Sequence, residues 1–174
     1  WLICLTLTVL RGSPIHLQKT VYTTLRATLG PLPFYEKLDL VTTLTVDQKP
    51  PNLAASYHIL GDLIETMDDQ LESNAELKQK QLALLPRICV LLAESPDYES
   101  FNALLNCIDT ILNDKPSLAS QHSVECVYSV LVKLTSRSSP ALSSQYAPEI
   151  FSRLCQTSRL TLLVHRGRLG GRFH

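Results

Sequence analysis

An all-α, solenoid-like stack of about eight helices, in the manner of HEAT or armadillo repeats, is the fold predicted by this sequence of 174 residues. Three observations carry that prediction. Ten prolines punctuate the chain, and between them the apolar residues recur at three and four positions, the period of one helix face. Composition is 45% hydrophobic but only 6% aromatic, which suits a core of Leu, Ile and Val packed between helices. Successive segments joined by short Pro, Ser and Asp links form hairpins of about 40 residues, the spacing of such repeats. No position-by-position consensus accompanies it, so an irregular helical bundle is the alternative packing.

Helices are predicted at 2–11, 14–28, 33–46, 51–71, 75–94, 97–113, 120–136 and 147–166. The opening WLICLTLTVL is apolar for about half of the roughly 20 residues that a membrane span needs, and it reads as a buried helix. Leu53, Tyr57, Leu60, Ile64, Met67 and Leu71 step 4-3-4-3-4 down one face. Pro86 falls inside the fifth helix and should kink or divide it. Asp97 is placed to cap the helix carrying Phe101, Leu104, Leu105, Ile108, Ile111 and Leu112. Val124, Val127, Tyr128, Leu131 and Leu134 mark the next stripe, and Phe151, Leu154, Cys155 and Leu162 the last. Leu40 to Val46 (LVTTLTV) is rich in β-branched residues and is the best candidate for an extended piece. The Ser-rich stretch TSRSSPALSS reads as a flexible loop near 135–145. The whole of 1–174 reads as one helical domain, and a chain opening on Trp1 reads as a fragment of a longer protein.

Formal net charge is zero, yet the charges are segregated. Residues 62 to 76 carry six acids and no base; after Glu149 come Arg153, Arg159, Arg166, Arg168 and Arg172 and no acid. Such a dipole differs from a uniformly basic nucleic-acid binder. The acidic run reads as solvated helix faces, with an acidic docking patch as the alternative. Cys4, Cys89, Cys107, Cys126 and Cys155 stand singly among aliphatic residues, so they read as reduced thiols of an intracellular protein, with no disulfide.

His122 and Cys126 are four apart on one predicted helix, the spacing of two zinc ligands, but further ligands at suitable spacing are missing. His16 and His58 lie on apolar faces and read as structural. No zinc-protease, nucleophile-elbow or calcium-loop motif occurs, and nothing pairs a nucleophile with a base. The residues therefore give no support to an enzyme, a cofactor or a small-molecule substrate.

The terminal HRGRLGGRFH admits several readings. A phosphate loop fails for want of a lysine and a preceding strand. A single short Arg-Gly cluster falls short of a disordered RNA-binding tail. Helix termination is simpler: arginines favour the negative end of the helix dipole, and Gly170 or Gly171 can stop the helix. Were the helix to persist, His165, Arg168 and Arg172 would share a face beside Leu162, Leu169 and Phe173.

LLVHRGRLGGRFH also resembles the signature of the C-terminal domain of the unhealthy ribosome biogenesis protein 2 family: an aliphatic helix, a His-Arg pair, a leucine, then Gly-Arg and an aromatic residue or histidine before another apolar helix. His165, Arg166, Leu169, Gly171, Arg172 and His174 are the matching positions. The resemblance implies a large, helical, nucleolar scaffold, non-enzymatic, that acts in large ribosomal subunit assembly and pre-rRNA processing among other pre-ribosome assembly factors. On that reading Arg166, Arg168 and Arg172 belong to a partner-facing surface with His165, Leu169, Gly171 and His174, anchored through Leu162, Leu169 and Phe173. Contact with pre-rRNA would run through the Arg153 to Arg172 cluster. The alternatives are a generic HEAT-like interaction adaptor and a direct RNA-binding helical module.

Overall fold

The computed structural model describes residues 20, 23–24, 27–46, 53–95, 97–136 and 145–170. The helix expected at 2–11 and the central part of the Ser-rich loop, 137–144, lie outside them. Residues 27–29 are helical, and after them come α1 (Phe34–Val46), α2 (Leu53–Glu65), α3 (Ala75–Ala93), α4 (Tyr98–Asp114), a 3₁₀ turn (Pro116–Leu118), α5 (Gln121–Ser136) and α6 (Ala147–Gly170). The fold is all-α, with no strand among the described residues.

Each helix packs on its sequence neighbour in a hairpin and on the helix two along: α1 on α3, α3 on α5, α2 on α4, α4 on α6. Helices of one layer run parallel. The Cys107 thiol of α4 donates to the Tyr57 carbonyl of α2 at 3.6 Å, and beyond both helices Asp69 meets Ser117. Asp109 of α4 likewise meets Arg153 and Thr157 of α6, and Pro116 meets Arg168. Two layers of parallel helices linked through hairpins are compatible with the solenoid expectation.

The core runs along the interface of the layers. Leu60, Ile64, Leu105, Ile108 and Leu131, the stripe residues of three helices, are all buried. Buried leucines and isoleucines of α3 (Leu84, Leu85, Ile88, Leu92) fill the space between them.

Three local features depart from simple periodicity. LVTTLTV is helical, closing α1: Thr42 and Thr43 hydroxyls donate to the carbonyls of Leu38 and Asp39 four residues back, and Leu38 is buried. Helix α2 ends at Glu65, not near 71, because Met67 turns inward to a buried position and the following segment is held elsewhere. The fully buried Gln81 of α3 binds it at two points, its Nε2 donating to the Gln70 carbonyl at 2.9 Å and its Oε1 accepting from the Glu72 N–H at 2.8 Å. Pro86 leaves α3 undivided. Its missing N–H frees the Leu82 carbonyl, which the buried Ser123 hydroxyl of α5 reaches at 3.4 Å.

Both caps of the central hairpin come from short polar side chains. Asn74 accepts from the N–H groups of Glu76 and Leu77, and the Asp97 carboxylate accepts from the Ser100 N–H at 2.8 Å, as its place in the sequence predicts. Gly61 lies within α2 facing α4, where an added Cβ would sit 3.5 Å from the Cys107 sulfur, an ordinary contact. Gly61→Ala is therefore expected to raise stability by up to about 1 kcal/mol through helix propensity. Urea unfolding checks this, and a loss of stability would show that the α2–α4 crossing leaves no room for a methyl.

Among the described residues Cys89 and Cys107 are buried, Cys126 half-buried and Cys155 exposed, and all four are free thiols. Cys4 lies outside the described residues. No described helix is long and apolar enough to cross a membrane.

Candidate interaction surface on the last hairpin

Helix α5 starts from Ser120, whose hydroxyl accepts the Ser123 N–H at 3.1 Å and lies 2.7 Å from the Ser123 hydroxyl. Helix α6 is approached through Tyr146, whose ring stacks on Tyr98 with centroids 4.5 Å apart. The side of α6 turned to the core carries Ile150, Leu154, Thr157 and Thr161, a 4-3-4 stripe.

Two threonines in that stripe replace apolar packing with hydrogen bonds. The Thr161 hydroxyl donates to the Thr157 carbonyl at 2.8 Å, and the Thr157 hydroxyl donates to Asp109 Oδ1 at 2.9 Å. Arg153 meets the other oxygen of the same carboxylate at 2.8 Å and also donates to Asn106 of α4 and to Gln156. Burial pushes the Asp109 carboxyl above its ordinary value, opposed by the Thr157 hydrogen bond and the Arg153 guanidinium. Arg153 is thus part of the α4–α6 joint.

Arg168 is engaged in the same way at the far end of α6. Its guanidinium donates to the carbonyl of Pro116. The N–H of the same peptide unit, on Ser117, donates to Asp69 Oδ1 at 2.8 Å. One arginine of the terminal cluster and one carboxylate of the acidic run therefore grip a single amide from its two sides. Arg168→Glu removes a charge-assisted bond and sets a carboxylate beside the Pro116 carbonyl, so a cost of about 1–2 kcal/mol is expected. The exposed Arg166→Glu should change stability by less than about 0.5 kcal/mol. Urea midpoints of the two variants separate the roles; equal values would deny Arg168 its structural part.

Of the other residues suggested by sequence, Arg166 is exposed, and His165 is half-buried against a groove. Helix α6 extends through Gly167 to Gly170, a turn beyond the expected end at 166. Leu169 is part of it, but its side chain lies outside the described residues, as do Gly171, Arg172, Phe173 and His174 altogether. The described arginines of α6 divide between two faces: Arg153 and Arg168 turn inward to partners, while Arg159 and Arg166 are exposed.

Leu162 is not an anchor on the preceding helices. It is 46% exposed and Leu163 64% exposed. With Arg159 and Arg166 they occupy positions i, i+3, i+4 and i+7, a single outward face of α6. Beside it, between α5 and α6, runs a groove of about 330 Å³ lined by Val124, Glu125, Tyr128, Thr161, Leu162 and His165. Tyr128 and Val132 of α5 and Phe151 of α6 are also roughly half exposed. Six of the eight large apolar side chains exposed among the described residues (Tyr128, Val132, Tyr146, Phe151, Leu162, Leu163) lie on or next to this last hairpin. Sequence reading assigns Phe151, Cys155 and Leu162 to the core because they keep helical time; the inward positions go to the threonines.

The His122 Nε2 and Cys126 Sγ atoms are 3.8 Å apart on the outer side of α5, and no group of three or more metal-ligating side chains occurs among the described residues.

No curated protein and no solved structure matches the chain. Residues 102–174, which hold most of α4 and the whole of the α5–α6 hairpin, match the family model described as the Urb2/Npa2 family, the family that the terminal HRGRLGGRFH stretch resembles.

Proposed function

We propose that the chain is a non-enzymatic helical scaffold that acts in nucleolar assembly of the large ribosomal subunit, with the α5–α6 hairpin as its partner-facing part. The observation that carries this reading is the Urb2/Npa2 match over residues 102–174, since that family is one of ribosome biogenesis factors. The concentration of exposed apolar side chains on the same hairpin supports a protein-binding role for it. His165 and Arg166, both at this surface, are the family-matched residues proposed to face the partner, with Leu169, Gly171, Arg172 and His174 as the remaining matched positions. Other assembly factors are the partners expected.

Direct binding of pre-rRNA is the weaker proposal. Of the arginines from Arg153 to Arg172, two already have partners within the protein, which reduces the charge left to neutralise phosphates. Affinity purification of the tagged protein from nucleoli tests the scaffold reading. Co-sedimentation with large-subunit precursors, and accumulation of unprocessed pre-rRNA on depletion, are the expected results. A protein absent from precursor fractions whose loss leaves processing unchanged would remove the proposal.

A further inference from the structure

We propose that the groove between α5 and α6, with the outward face of α6, is a docking site for an acidic amphipathic helix of a protein partner. The inference rests on the scaffold reading above and adds the chemistry of what is bound. Leu162 and Leu163 form a paired apolar ridge, and the adjoining groove is walled by Val124, Tyr128 and Leu162. An amphipathic helix laid along such a groove places residues at i, i+3, i+4 and i+7 against it.

Charge fixes the sign of the partner. Arg159 and Arg166 stand one turn to either side of the leucine pair, both exposed, and neither shows a hydrogen bond or ion pair among the described residues. Two cations bracketing an apolar ridge select a segment whose carboxylates bracket its own apolar residues. His165 lines the groove beside this ridge and adds a polar ring nitrogen. Among the described residues Glu125, on the α5 wall, is the acidic side chain lining the groove; it accepts from Gln121 Nε2 at 3.2 Å, whereas the arginines are on α6. It disfavours partner carboxylates on the α5 side, so those of the bound helix fall toward α6.

The test uses the full chain and two fluorescein-labelled peptides of about 18 residues, long enough to populate a helix. Both carry leucines at i, i+3, i+4 and i+7; one has glutamates a turn to either side and the other lysines. Fluorescence anisotropy is expected to show the glutamate peptide binding about fivefold or more tightly, the combined effect of two exposed ion pairs. Arg159→Glu with Arg166→Glu should abolish or invert that preference. Leu162→Ser with Leu163→Ser should weaken binding about tenfold while leaving the fold intact, because both side chains are exposed. Equal affinity for the two peptides, or binding indifferent to the leucine changes, would overturn the proposal. So would displacement of the peptide by an oligouridine RNA of equal concentration, or a dimer that the leucine changes convert to a monomer, since the occupant would then be RNA or a second copy. Peptide selectivity and precursor association fail independently: a selective groove on a protein absent from precursor fractions sinks only the ribosomal reading, and a non-selective groove on a protein present there sinks only this one.

Discussion

Leu60→Ala and Ile108→Ala should each lower unfolding free energy by about 2–5 kcal/mol, against a total of about 5–15 kcal/mol for a protein of this kind. Both side chains are fully buried, Leu60 on α2 and Ile108 on α4, and α2 and α4 form the most extensive helix–helix interface of the fold. Removing the side chain beyond Cβ forfeits its transfer from water and leaves a cavity that rigid helices on both sides cannot close. Leu162→Ala and Leu163→Ala provide the contrast. Both leucines are at least 46% exposed, so each truncation should cost under about 0.5 kcal/mol. Chemical denaturation of the four variants measures the difference. Comparable losses in all four would mean that the Leu162–Leu163 face of α6 is packed.

Alkali should unfold the protein through two thiols. Burial pushes Cys89 and Cys107 up to about 12 from an ordinary value of 9.0; the charge of Cys126 adds to the rise at Cys89, while at Cys107 a backbone hydrogen bond opposes the rise and the charge of Asp62 adds to it. In the folded protein both remain protonated when the unfolded chain has begun to ionise. The stabilisation is therefore complete below pH 9 and is lost as pH rises from 9 toward 12. Each thiol accounts for about 1.4 kcal/mol per pH unit across that window, or about 4 kcal/mol when fully titrated. Unfolding free energies at pH 8 and pH 10.5 should fall by about 2 kcal/mol per thiol. The double variant Cys89→Ala, Cys107→Ala, compared by slope and not by absolute stability, should lose that part of the dependence. An unchanged slope would assign alkaline unfolding to other groups.

Most of the helices can be read in the sequence because burial enforces the 3-4 period. The α2, α4 and α5 stripes hold Leu60, Ile64, Leu105, Ile108 and Leu131, and all five are buried. What the period cannot show is where a buried polar side chain redirects the chain. Gln81 fixes the segment after α2 through two backbone bonds, and no local pattern around residue 70 marks the early end of that helix. LVTTLTV has a strand-like composition, but it continues the helix whose Leu38 is buried in the core, and its threonine hydroxyls find acceptors in carbonyls four residues back without leaving the helix. On α6 the inward stripe is half threonine, so apolar periodicity selects the wrong face; the Asp109 carboxylate that rewards Thr157 is 48 residues away. The candidate surface is legible only in part. Spacing finds Arg166 and His165, whereas the commitment of Arg153 and Arg168 to Asp109 and Pro116 depends on tertiary contacts that local spacing does not encode.

The amide between Pro116 and Ser117 has a mechanical meaning. Its carbonyl is held by Arg168 at the end of α6 and its N–H by Asp69 from the connector after α2, so one rigid plane latches both connectors and the last helix. Bonds to opposite ends of a peptide polarise it in the same sense, and loosening one weakens the other. A pull on the end of α6 thus has a load path to the α2–α3 connector that bypasses α3 and α5. Whatever engages the outer face of α6 is joined by that latch to the acidic segment on the other side of the amide, and the exchange rate of the Ser117 amide proton becomes a gauge of how firmly the two are coupled.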